Sequence, residues 1–116
     1  MTRCLLLCLA ACGGAGLSAD VRTDVAGRMA TVQQPIATCY ASALKGNRKL
    51  RGNIVLTFAA APSTGEFTDI TVQHDELGDP NLQRCVITEV SKLKLQKPQS
   101  TRIAVSSYPI HFEPTK

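Results

Sequence analysis

The side chains with the most chemical reach in this chain are five cysteines and two histidines. A cysteine nucleophile would need Cys39 or Cys85 beside His74 or His111, so that the imidazole could take the thiol proton. Both cysteines fall in apolar stripes of helical spacing and both histidines in strand-like runs, so the pattern predicts no such pair and no catalytic residue. Metal binding fares no better. There is no CxxC or HxxxH spacing, and two histidines among scattered carboxylates are background. No metal site and no cofactor is expected, and His74-Asp75-Glu76 reads as a solvated strand end. Two basic stretches, residues 45–51 and 92–97, match charge to helix ends and aid solubility. Their functional reading is contact with anionic headgroups, lipopolysaccharide or peptidoglycan, which should weaken as salt rises.

Cys12 stands in a different setting. Met1-Thr2-Arg3 is a short positive region, and residues 4–11 form an apolar run far too short to span a bilayer. Leu9-Ala10-Ala11-Cys12, followed by Gly13-Gly14, resembles the lipobox of bacterial lipoproteins. The resemblance implies cleavage after Ala11, a diacylglycerol thioether on Cys12 and acylation of the new amino terminus. Residues 1–11 are then a signal peptide, 12–20 a flexible tether of small residues, and 21–116 a single domain. The domain would face the periplasm from a membrane, and Gly13 in place of Asp leans towards the outer membrane.

Cys4 and Cys8 leave with such a signal, so Cys39 and Cys85 remain as an even pair in an oxidising compartment. They are either bridged, closing a loop of about 47 residues worth at most about 4 kcal/mol, or two buried free thiols. Thirteen Lys plus Arg, less Arg3, leave twelve against nine Asp plus Glu, a net charge of +3. That is too mild to argue for nucleic acid. With no Trp, two Tyr and three Phe, stacking platforms are also few.

The elements that must position these residues centre on residues 53–60. Ile54, Leu56, Phe58 and Ala60 alternate with Val55, Thr57 and Ala59, and a strand apolar on both faces belongs inside a sheet. Before it, Val21, Val25, Met29 and Val32 recur at helical spacing, with Gly27 a weak point. Pro35 either kinks one long helix or starts a second. Ile36, Cys39, Tyr40, Ala43 and Leu44 then form one helical face, ended by Lys45-Gly46-Asn47. Residues 61–66 carry turn chemistry, with Gly65 suited to a left-handed position. Residues 67–74 return as a hairpin partner whose phase requires a bulge near Thr68-Asp69.

Gly78-Asp79-Pro80 starts a helix with an inward stripe of Leu82, Cys85, Val86, Val90 and Leu93. The last strand, residues 102–113, changes parity and needs a bulge near Ser106-Ser107. Pro109 confines it to an edge. Right-handed crossover puts it beside the first strand. The expectation is α+β: a three-stranded antiparallel sheet in order 2-1-3, covered by two helices, built as a split β-α-β unit.

The combination Ile36-x-x-Cys39-Tyr40, Leu50-x-Gly52-x-Ile54-x-Leu56-x-Phe58, Leu77-Gly78-Asp79-Pro80-x-Leu82-x-x-Cys85-Val86 and Tyr108-Pro109-Ile110-x-Phe112 resembles the AgmX/PglI-type C-terminal domain of myxobacterial and related envelope proteins. That domain is similar to the TonB C-terminal domain, α-β-β-α-β. The resemblance covers roughly residues 32–114 and implies a Cys39–Cys85 bridge. It also implies capture of an envelope protein by β-strand addition, with no catalysis. The exposed edge for this is residues 67–74, through Thr68, Ile70, Thr71, Val72 and His74, because Pro109 blunts the other edge. The alternative is a structural lipoprotein that self-associates through the same sheet, in envelope or motility machinery.

Overall fold

The computed structural model describes residues 17–114. The expected signal peptide and Cys12 lie outside the described residues. Helix α1 spans Ala19–Thr31, capped by Ser18, whose side chain accepts from the Val21 N–H at 3.3 Å. The last two residues of the segment expected as tether, Ala19 and Asp20, are therefore helical. Helix α2 spans Gln33–Gly46. Between them Val32 leaves helical geometry, at φ −107° and ψ 11°. Pro35 explains the break: it has no N–H for the Thr31 carbonyl, and its ring crowds that same oxygen. Whether Pro35 kinks one long helix or starts a second is left open by the sequence; the structure breaks it at Val32 into α1 and α2, which with the later helix cover the sheet.

The sheet consists of β1 (Gly52–Ala60), β2 (Phe67–Asp75) and β3 (Ile103–Phe112). Its order is β2-β1-β3, antiparallel throughout, with β1 in the centre. Both expected bulges are present. Thr57 pairs with Thr71 and Ala59 with Thr68, so β2 spends one residue more than β1, and Asp69 there takes φ 54°. Leu56 pairs with Tyr108 and Phe58 with Val105, which places the second bulge at Ser106-Ser107. The first bulge lets Phe67 share the inner face with Ile70 and Val72; Phe67 is buried and stacks on Phe58 at 5.0 Å. A third bulge was not foreseen: Val55 pairs with His74 and Leu56 with Val72, leaving Gln73 without a partner across the ladder.

Helix α3, Pro80–Val90, starts as its sequence dictates, with the Asp79 carboxylate accepting from the Leu82 N–H at 3.0 Å. Leu82, Val86 and Val90 are buried at 2%, 0% and 0% exposure, against Ile54 and Leu56 at 0%. The helix ends before Leu93, which is buried from the loop instead. That loop is tied down at two places. Phe67 N–H donates to Leu93 O at 3.0 Å and Leu95 N–H to Gly65 O at 2.9 Å. The Asp24 carboxylate of α1 accepts from Gln96 N–H at 3.1 Å and Lys97 N–H at 2.9 Å. Cys39 of α2 and Cys85 of α3 are joined, S–S 2.00 Å, with Cα atoms 5.9 Å apart. All three helices contribute to one core on one face of the sheet.

Candidate docking edges

An edge strand offers a partner its unpaired backbone groups and the side chains that flank them. Both β2 and β3 are edges. The five residues expected to form the docking edge all lie on β2, but they divide between its faces. Ile70 and Val72 are half-buried and pack on the core. Thr68, Thr71 and His74 sit opposite Ala59, Thr57 and Val55 on the face the helices leave open. The edge is also shorter than the strand. Its first residue is taken by Leu93. The free window runs over residues 68–74, interrupted by the bulges at Asp69 and Gln73, and such bulges protect an edge against indiscriminate pairing. β3 pairs with β1 alone, and its Pro109 lies opposite Val55.

The open face is polar and knitted across strands. The Thr57 and Thr71 hydroxyls are bonded, Ser107 Oγ donates to Gln73 Oε1 at 3.4 Å, and Arg102 reaches Asp69 at 3.0 Å. That ion pair links the start of β3 to β2 beside Ala59. Ala59 is fully buried, yet it stands outside the helix-covered core. The pair was missed in the sequence; small Ala59 and Ala104 in register across the sheet are its signal. At the opposite end both edge strands carry the same His-x-Glu arrangement. His74 Nε2 lies 3.4 Å from Glu76, and His111 Nε2 lies 3.2 Å from Glu113. His111 Nδ1 also meets Asn53 Oδ1 at 3.0 Å, while Asn53 N–H donates to Glu76 Oε1 at 2.8 Å. Among the described residues, no group of three or more His, Cys, Asp or Glu could hold a metal ion. Neither histidine meets a thiol, because both described cysteines are bridged.

Three groups are held away from ordinary titration. Burial pulls the Asp75 carboxyl up, but the Gln83 amide and the Leu77 and Gly78 N–H groups outweigh it and leave the carboxyl below the usual aspartate value. The Asn53 N–H, and then His74, hold Glu76 low. Burial raises the Tyr40 phenol, whose hydroxyl donates to Leu50 O; Arg51 opposes the shift and Glu113 adds to it. Each of these contacts fixes the end of the sheet where β1 begins.

Among solved structures, the NMR solution structure of Helicobacter pylori TonB-CTD (residues 179-285) is similar to this chain. The match covers 89% of this chain and 99% of that chain, at 14% identity and a TM-score of 0.43. No family model matches the chain, and no curated protein does.

Proposed function

We propose that the protein is a lipid-tethered adaptor of the bacterial envelope, anchored through Cys12, facing the periplasm, and binding an envelope protein by strand addition. The observation that carries this reading is the sheet itself. Among the described residues it has three strands, the backbone edge is open over residues 68–74 of β2, and a disulfide of the kind kept in oxidising compartments ties its cover together. The lipobox-like residues 9–12 supply the tether. The outer membrane is the favoured site because Gly13 follows the cysteine.

Proline scanning of the two edges tests the proposal. Gln73 is an unpaired bulge residue and Ser106 lies at the bulge of β3. Sheet edges and bulges tolerate proline, which removes one backbone N–H there. Proteins cross-linked to the wild-type chain in cells should be lost with Gln73→Pro or Ser106→Pro, while circular dichroism is unchanged. Capture that survives both variants rules out strand addition. Concentration-dependent sedimentation of the wild type, abolished by the same prolines, assigns the edge to self-assembly instead. Cys12→Ala should release the protein from membranes, and intact mass should show the acyl chains directly.

A further inference from the structure

The edge of β2 already carries one short strand, and it belongs to the chain itself. Phe67 N–H donates to Leu93 O at 3.0 Å, Leu95 N–H donates to Gly65 O at 2.9 Å, and Glu66 bridges Lys94 in antiparallel sense. Residues 93–95 therefore lie where a fourth strand would lie, beside the start of β2. Their pattern is apolar, charged, apolar. Leu93 and Leu95 are core residues at 9% and 3% exposure, while Lys94 is exposed opposite an exposed Glu66. Opposed residues share a face, so the chain itself displays the alternation that fits this edge. Both leucines are held by the core, so the segment stays and marks where a partner strand must stop.

Beyond Phe67 the same line is open. Between the bulges at Asp69 and Gln73, Ile70 and Val72 turn to the helix side and Thr71 to the open face. Ile70 and Val72 are only half-buried, although they pack on the core. Helix α3 runs along this edge: Gln83, near its start, bonds Asp75 at the end of β2, and the chain just past it reaches Phe67. Cys85 faces α2 through the disulfide. Ile87 is one turn on from Gln83 and about 200° round the helix axis from Cys85. It therefore projects from the flank of α3 turned away from α2, on the side of the β2 edge. Ile87 is half-buried and stands outside the core cluster. Ile70, Val72 and Ile87 thus line an apolar notch, closed at one end by Gln83 with Asp75 and at the other by residues 93–95.

We infer that the notch selects the partner: an extended segment with an apolar, polar, apolar triplet, laid antiparallel to β2 in line with residues 93–95. Its two apolar side chains sit opposite Ile70 and Val72, under Ile87, and its polar one sits opposite Thr71. Backbone bonds give such a strand affinity, and the alternate side chains give it specificity. The inference rests on strand addition at β2, as proposed above, and adds the pattern and direction of the strand. A polar strand would make the same backbone bonds and leave the three apolar side chains in water.

The test uses two capped heptapeptides of one composition, Thr-Lys-Leu-Lys-Leu-Lys-Thr and Thr-Lys-Lys-Leu-Leu-Lys-Thr, titrated into the oxidised whole chain and followed by amide NMR. The alternating peptide should shift the amides of residues 68–74. It should bind about tenfold tighter than the other, because only alternation lets both leucines leave water on one face. Ile87→Gln should remove most of that preference while circular dichroism stays unchanged, and Val72→Thr should do the same from the strand side. A spin label on the peptide amino terminus should broaden His74 more than Thr68. Equal binding of the two peptides at residues 68–74 overturns the inference and leaves strand addition standing. No shift there with either peptide overturns it as well, and strand addition is then judged by the proline variants. A dimer through residues 68–74 that Ile87→Gln abolishes would assign the notch to a second copy and overturn the inference.

Discussion

Reducing the bridge between Cys39 and Cys85 should cost this domain a large share of its stability. The two residues are 46 apart in sequence, and the closed loop contains half of α2, all of β1 and β2, and the first half of α3. Loop-closure entropy for a ring of that size is about 4 kcal/mol at room temperature. A domain this small is typically stable by about 5–15 kcal/mol, so the reduced protein should stay folded with about 1–11 kcal/mol in reserve. At about 4–8 °C per kcal/mol, the midpoint should fall by roughly 15–30 °C. The assay is urea denaturation and thermal melting of oxidised and reduced wild type. Reduction leaves both sulfurs in place, so core packing changes little and the difference reports the chain constraint. A loss below about 1 kcal/mol would refute the entropic account. It would mean that residual structure already restricts the unfolded chain, or that native strain cancels the gain.

Acid titration should expose Asp75. Its folded value lies below the unfolded one, so its contribution is full above the ordinary aspartate range near about 3.9 and is lost as pH falls through the depressed folded value. Asp75→Asn should flatten stability against pH in that window and cost about 1 kcal/mol at neutral pH, a figure kept small because the group is partly solvated. Leu82→Ala removes a side chain 2% exposed between α3 and the sheet and should cost about 2–5 kcal/mol by denaturant midpoint. Asp79→Ala deletes the α3 cap and should cost about 1 kcal/mol, whereas Asp79→Ser should recover most of it. Gly65→Ala meets Leu95 Cβ at 3.1 Å from a φ of +76°, so it should destabilise the turn and loosen the Leu95–Gly65 contact in amide exchange.

Local rules decided much of this protein. Period-two alternation in residues 53–60 marked the central strand, and Asp79-Pro80 marked the start of α3 to the residue. The parity faults at Phe67 and in the last strand placed two bulges, because a one-residue slip is the cheapest way to keep apolar side chains on one face. Pro109, which has no N–H, put β3 at an edge. The candidate docking strand was legible for the same reason.

What tertiary structure decided was everything that depends on a second segment arriving. The Gln73 bulge leaves no parity fault in an already polar stretch. Closure of the β2 edge by Leu93 and Leu95 joins residues nearly thirty positions apart, and Asp24 holds a loop more than seventy positions away. Whether Cys39 and Cys85 meet was likewise open to spacing alone, since an inward stripe fixes the direction of a side chain but not what faces it.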